Sequence, residues 1–245
     1  MEEMGSNFYN NETVFATYMR HRQGADTPNE TLEKPVILEL VYPITNKRIL
    51  DLGCGDAAIG REFLDHAAAS YIGVEGSHKM IETAIQTLNG TLGEAILQTI
   101  EDWAYPSIAF DIVLARLSLH YIADLLPVFT NVFRTLIPGG KFVFSVEHSV
   151  ITSCHRGWNA GTLRQDWIVD NYVLTGLRAT NWLGGTVKKY HRTIEDYFDL
   201  LQTVGFRIEA LREAHPQPQH FHDTETYERR KRIPLFLILA ARKPE

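Results

Sequence analysis

The chain reads as an α/β protein built on a seven-stranded, mostly parallel sheet with helices on both faces and its last strand antiparallel. Three observations predict this. From residue 47 onward, short apolar runs alternate with helical patterns, as in strands wound with crossover helices. The first run, Arg48-Ile49-Leu50-Asp51-Leu52, ends in the glycine cluster Gly53-Cys54-Gly55, which marks a strand-to-helix turn. The segment between the last two apolar runs carries His215, His220 and His222 among prolines and glutamines and reads as helix-free, so those two strands must pair antiparallel.

The elements follow in order. Residues 1–45 read as a helical lead. After the first strand and its glycines, Ile59, Phe63, Leu64 and Ala67 recur at helical spacing. Tyr71 to Glu75 is the second strand. Ser77 caps a second helix whose inner face is Met80, Ile81, Ala84, Ile85 and Leu88. Ala95 to Gln98 and Phe110 to Ala115 are the third and fourth strands. Asp124 caps the next helix, with Phe129, Val132, Phe133 and Leu136 inward and Pro138-Gly139-Gly140 as its stop; Lys141 to Val146 is the fifth strand. A helix opens at Thr193 with Asp196 three residues on, runs through Tyr197 and Leu201, and stops at Gly205. Phe206 to Leu211 and Leu235 to Ala241 complete the sheet. Residues 147–192 form a long irregular insert after the fifth strand, holding Trp158, Trp167, Tyr172, Trp182 and Tyr190. Such an insert is either a lid over a site or an aromatic minicore packed on itself.

A length of 245 residues suits one domain spanning 1–245, with 1–45 as a helical cap and 147–192 as a substrate-side insert. The formal net charge of −6 excludes a generally basic nucleic-acid coat. Two cysteines, Cys54 and Cys154, do not make a disulfide scaffold, and the start Met1-Glu2-Glu3-Met4 lacks a basic-then-apolar leader, so a cytoplasmic protein is expected. No apolar run approaches the roughly 20 residues that cross a bilayer, so no membrane partner is expected.

Chemistry begins at the glycine turn. Glycines there let a ligand approach the backbone, and Glu75, twenty-four residues after Asp51 and at the end of the next strand, can accept two hydrogen bonds from a ribose diol. Gly53-x-Gly55-x-x-Ala58 also satisfies a relaxed dinucleotide fingerprint, and Tyr227-x-x-x-Lys231 has a reductase-like spacing, so an NAD-dependent oxidoreductase is an alternative. Asp51 and Asp56 beside the turn oppose a pyrophosphate and suit a cationic or amine-bearing ligand.

The motifs Asp51-Leu52-Gly53-Cys54-Gly55, Gly73-Val74-Glu75-Gly76-Ser77 with Met80, Phe110-Asp111-Ile112-Val113 and Leu136-Ile137-Pro138-Gly139-Gly140 stand in one order and spacing. On them the chain, from about residue 14 to 242, resembles the Rossmann-like (class I) S-adenosylmethionine-dependent methyltransferases. Tyr190-His191-Arg192-Thr193 and Arg232-Ile233-Pro234-Leu235-Phe236-Leu237 look like a bacterial small-molecule subgroup of these enzymes. Ala57 departs from the pattern, where a third glycine is usual.

The resemblance implies S-adenosylmethionine as cofactor, S-adenosylhomocysteine as product, and a role for each matching residue. Gly53 and Gly55 pass under the methionine and ribose portions, Asp51 organises the turn and the ammonium end, and Glu75, followed by Gly76 and Ser77, binds the ribose hydroxyls. Met80 lies against the adenine. Ile100 or Glu101 offers a backbone N–H to the ring, and Glu101 or Asp102 a carboxylate to its amine. Ala115 and Arg116 line the sulfonium side, and Arg20 or Arg22 meets the amino-acid carboxylate. A base is needed only where the acceptor atom carries a proton that must leave; His120, His148 and His191 are the candidates, with His148 and His191 preferred. The spacing of His215, His220, His222 and Asp223 matches no tight zinc site, so no metal is expected.

The acceptor is expected to be a small molecule offering oxygen or nitrogen. The place after the fourth strand reads Ala115-Arg116-Leu117-Ser118, without the Pro-Pro-aromatic loop of enzymes that methylate DNA amines. No nucleic-acid partner is expected, and the chain is read as a monomer or homodimer. A non-catalytic S-adenosylmethionine-binding regulatory module is a further alternative.

Overall fold

The computed structural model describes residues 5–22, 27–154, 166–182 and 185–245. Trp158 and the side chains of Arg22 and Trp182 lie outside the described residues.

Among the described residues, nine strands form two sheets. The main sheet holds β1 (Arg48–Leu52), β2 (Ser70–Glu75), β3 (Gly93–Leu97), β4 (Phe110–Arg116), β5 (Leu136–Glu147), β8 (Arg207–Arg212) and β9 (Phe236–Arg242), in the order β3-β2-β1-β4-β5-β9-β8. β1 to β5 pair in parallel, while β9 runs antiparallel to both of its neighbours. The expected architecture is therefore the one found. The strand order reverses direction between β1 and β4, and in open α/β sheets ligands bind outside the carboxyl ends of strands at such a reversal.

Period-two side chains divide the core between two faces. Leu50, Val113, Phe142 and Phe144 meet Phe129 and Val132 of α5 (Leu125–Thr135) and Tyr197 and Leu201 of α7 (Ile194–Val204). On the other face Ile49, Ile112, Leu114 and Val143 meet α2 (Lys34–Val41), α3 (Ala58–Asp65) and α4 (His78–Leu88). The lead supplies α1 (Glu12–Arg22), flanked by a 3₁₀ segment at Gly5–Asn10 and a π turn at Asn29–Glu33. Phe8 and Val14 of this lead share a small third core with Val187.

The helix caps form as the sequence predicts. Ser77 Oγ accepts from Met80 N at 3.3 Å and Asp124 Oδ1 from Leu126 N at 3.0 Å. Thr193 and Asp196 make a reciprocal box, and Gly205 closes α7 in the left-handed region at φ 103°. Thr193→Ala is expected to lower stability by about 1 kcal/mol, a melting-temperature loss of roughly 2–4 °C in a domain this size, measurable by calorimetry.

Five local features differ from expectation. The segment after β8 is not helix-free: α8 (Thr224–Arg230) is capped by Asp223, whose carboxylate accepts from Glu225 N and Thr226 N. It has no buried residues, so no apolar stripe announced it. Being a surface excursion, it leaves the antiparallel pairing intact. The insert is not wholly irregular, since β6 (Gly176–Trp182) and β7 (Gly185–His191) form an antiparallel hairpin. Ile85 is 56% exposed, and Ala67 lies beyond the end of α3 at φ 66°. α5 ends at Thr135, so Leu136 is buried as the first residue of β5.

Candidate active site

The turn after β1 is shaped by a close approach. Gly53 N and Cys54 N both donate to Val74 O, and Ser118 Oγ donates to Leu52 O at 2.7 Å. Gly53 sits at φ 78°, and a Cβ there would lie 2.4 Å from Ser118 Cβ, so only glycine fits. Gly55 (φ 58°) and Ala57 (φ 54°) continue in the left-handed region. Beneath the turn, Asp51 is 1% exposed and accepts the Tyr71 hydroxyl at 2.7 Å.

Glu75 is fixed by this turn and by its own. Its Oε2 accepts from Gly55 N at 2.9 Å and its Oε1 from Ser77 N at 2.8 Å. These two bonds hold the carboxylate in place on the cavity's lining. Burial, reinforced by Asp51, Glu75 and Asp56, raises the Cys54 thiol and keeps it protonated.

A cavity of about 790 Å³ opens at the carboxyl ends of β1, β2, β4 and β5, within the range of small-molecule sites. One half is acidic and floored by glycine: Asp51, Gly53, Gly55, Glu75, Gly76, Met80, Ile100 and Glu101 all line it. The other half is walled by Tyr9 and Tyr18 from the lead, His120 and Tyr121 after β4, Glu147 at the end of β5, and Lys189 on β7. Tyr9 and Tyr121 share a hydroxyl–hydroxyl bond at 3.0 Å, and Tyr9 meets Tyr18 edge-on at 5.1 Å. Burial first, then the neighbouring tyrosines, raises the Tyr9 phenol well above its ordinary range.

Not every residue singled out from the sequence reaches the cavity. Asp102 instead accepts Thr99 Oγ1 at 2.7 Å, which leaves Glu101 as the cavity-lining carboxylate of that pair. Ser77 is fully buried as the cap of α4 and donates to Asn10 Oδ1 of the lead, and Ala115 is buried in β4. Arg20 bonds Ala16 O and Thr17 Oγ1 of its own helix. Arg116 lines the cavity, but its guanidinium is clasped by the carboxylate of Glu33, which is itself bound by the Ser145 hydroxyl at 2.6 Å. Burial would lower the Arg116 pKa, yet the Glu33 charge and hydrogen bonds outweigh that and raise it.

The two preferred histidines are also held elsewhere. His148 caps the short helix α6 (Ser149–Thr152) through Val150 N and bonds Glu213 through Nε2. His191 bonds Thr152 Oγ1 and Tyr172 O. Neither is among the cavity's lining residues; both serve backbone and loop geometry. His120 does line it, and Glu147 N donates to its Nδ1 at 3.3 Å. Burial, opposed by Glu147, takes the His120 pKa down to about 3.

The Glu147–Lys189 pair escaped the sequence reading. Lys189 Nζ donates to Glu147 Oε1 at 2.5 Å across 42 positions. The signal was faint but present: in β7 the inward places are Val187, Lys189 and His191, so a lysine stands where alternation requires a buried residue. Among the described residues, no group of three or more histidines, cysteines or carboxylates is placed to hold a metal ion. Tyr227 lies on α8 and Lys231 just past its end, both outside the cavity's lining.

Residues 50–144 match the family described as a methyltransferase domain. An S-adenosylmethionine-dependent methyltransferase of Mesorhizobium loti is 32% identical and superposes with a TM-score of 0.79, covering 91% of this chain and 99% of its own. An uncharacterised protein of Haemophilus influenzae is 30% identical over 97% of both chains. A trans-aconitate 2-methyltransferase of Acidovorax is 25% identical over 69% of this chain and 61% of its own length.

Proposed function

From a chain that belongs to the class I, Rossmann-like S-adenosylmethionine-dependent methyltransferases, we infer an enzyme that methylates a small-molecule acceptor held in the tyrosine-walled half of its cavity. The observation that carries this is the division of one cavity into an acidic, glycine-floored half and an aromatic half.

The residues present fit the cofactor. Gly53 leaves the room that a Cβ would fill, and Glu75 is fixed by two backbone N–H groups where a ribose diol can reach it. In this reading Asp51 serves the ammonium end, Met80 lies against the adenine, and Ile100 with Glu101 meets its edge. Gly76 supports the ribose side, and Arg116 borders the sulfonium. Arg22 remains the candidate for the carboxylate end, because Arg20 is turned onto its own helix. S-adenosylmethionine, when bound, supplies a methyl group on a sulfonium that departs as a neutral thioether. The chain's part is alignment and the exclusion of water, with Tyr9, Tyr18 and Tyr121 as the walls that orient the acceptor.

Three features support a compact acceptor. The walls are aromatic, the net charge of −6 opposes long-range attraction to a phosphate backbone, and the chain reads as a single domain, 1–245, whose Glu147, Ile151 and Lys189 line the cavity. Among the described residues no helix is long and apolar enough to cross a membrane.

Scanning fluorimetry tests the donor half. S-adenosylhomocysteine at a hundred times its Kd should stabilise the fold by about 2.7 kcal/mol, a rise of roughly 5–10 °C, while NAD should leave the transition in place. Transfer of labelled methyl tests the acceptor. Incorporation into tRNA, DNA or extract protein faster than into the low-molecular-weight fraction would overturn the small-molecule reading.

A further inference from the structure

We propose that Glu147 is the catalytic carboxylate for an acceptor hydroxyl, that Lys189 is its positioning residue, and that the enzyme is an O-methyltransferase of uncharged hydroxyl compounds with an aromatic or apolar body. The inference rests on assigning the tyrosine-walled half of the cavity to the acceptor.

Geometry selects the carboxylate. Lys189 and Glu147 both line this half, yet the Lys189 side chain is only 7% exposed against 26% for Glu147, so the carboxylate presents itself to a ligand. Lys189 holds Oε1, while Oε2 makes no hydrogen bond among the described residues. The pair has no net charge. It attracts neither an anion nor a cation as such, and what it offers a ligand is one well-oriented hydrogen-bond acceptor. A carboxylic acid acceptor would meet Glu147 as a like charge. An alkylammonium would meet Lys189, which already lies 5.8 Å from the centre of the Tyr121 ring.

Of the other groups facing this half, Glu30 of the lead is drawn to Lys34 at 3.7 Å, and the histidine and the phenols cannot take a proton in its place. The Nδ1 lone pair of His120 is engaged by Glu147 N, so the neutral ring carries its proton on Nε2 and acts as a donor. Tyr9 and Tyr121 are raised by burial and remain phenols. Burial alone would raise Glu147, but Lys189 and His120 bring it below its ordinary value, so it stays ionised and is a weak base. A weak base does not strip an alkylammonium. It suffices for a hydroxyl, which turns strongly acidic as it is alkylated. A lone pair of the acceptor oxygen forms the new O–C bond while the C–S electron pair leaves with sulfur. The O–H proton passes to Glu147 Oε2 and then to water as the neutral ether departs.

Calorimetry on the protein–S-adenosylhomocysteine complex with phenol, benzoate and benzylamine tests this on one skeleton. Wild type should bind phenol about tenfold more tightly than either ion, the scale of one charge-assisted hydrogen bond. Glu147→Gln should weaken phenol about tenfold and, by leaving Lys189 unneutralised, make benzoate the tightest of the three. Its methyl transfer to phenol should recover toward wild type as rising pH ionises the phenol. The double variant E147Q/K189M holds no charge at this place, so it keeps the test open if the single variant does not fold; it should lose the phenol preference while still binding S-adenosylhomocysteine. Equal affinity of wild type for the three probes, a preference for benzoate or benzylamine, or no effect of E147Q would overturn the proposal. Failure of wild type to bind S-adenosylhomocysteine would instead overturn the donor-site reading beneath it.

Discussion

Glu33→Ala is expected to lower the folding free energy by about 3–5 kcal/mol, because it strands a guanidinium that the fold has already dehydrated. Glu33 is fully buried, and Arg116 reaches it with both Nε and Nη2 from the end of β4. The melting temperature should fall by roughly 6–20 °C. The double variant E33A/R116M separates a paired charge from ordinary packing. If the damage comes from the unpaired arginine, the second substitution restores most of the loss, since replacing a buried ion pair with apolar side chains is often neutral. If single and double variants melt together, the pair is not what holds this part of the lead.

The second large effect concerns ligand affinity. Glu75→Ala should weaken S-adenosylhomocysteine binding by about 1.5–3 kcal/mol, roughly ten- to a hundredfold, by removing hydrogen bonds to a charged acceptor. It also strips Gly55 N and Ser77 N of their partner, so the turn under the ligand loosens as well. Glu75→Gln separates the two contributions. The amide oxygen can still accept from one of these N–H groups, so the turn is partly kept while the charge is lost. Calorimetry returning wild-type affinity for the alanine variant would remove Glu75 from the ribose site.

The legible parts of this protein are those written in neighbouring residues. Alternation marked all seven strands of the main sheet, and the caps at Ser77, Asp124 and Thr193 were each readable within four positions. The glycine turn and Glu75 were readable because twenty-odd residues make one strand–helix–strand unit. The illegible parts are side-chain pairings over long separations. Glu33 and Arg116 stand 83 positions apart, and Glu147 and Lys189 stand 42 apart; no periodicity links such partners. That His148 and His191 are absent from the cavity's lining is illegible for the same reason. Lying just past a strand places a histidine near the ligand edge, but only its partners, Glu213 and Val150 for one and Thr152 and Tyr172 for the other, say where the ring is spent. α8 escaped because a helix with no buried face carries no hydrophobic signature.

The two halves of the cavity are drawn from different stretches of chain. Asp51, Gly53, Gly55, Glu75, Gly76, Met80, Ile100 and Glu101 line one half; Tyr9 and Tyr18 of the lead, His120, Tyr121, Glu147 and Lys189 line the other. In evolutionary terms this is a division of labour. Substitutions at Tyr9 or Tyr18, or in the β6–β7 hairpin, can reshape which molecule is accepted while the donor floor, spelled out between β1 and β3, is inherited unchanged. Selection can therefore act on the two specificities separately, and the lead and hairpin are the places where descendants of this chain would diverge first.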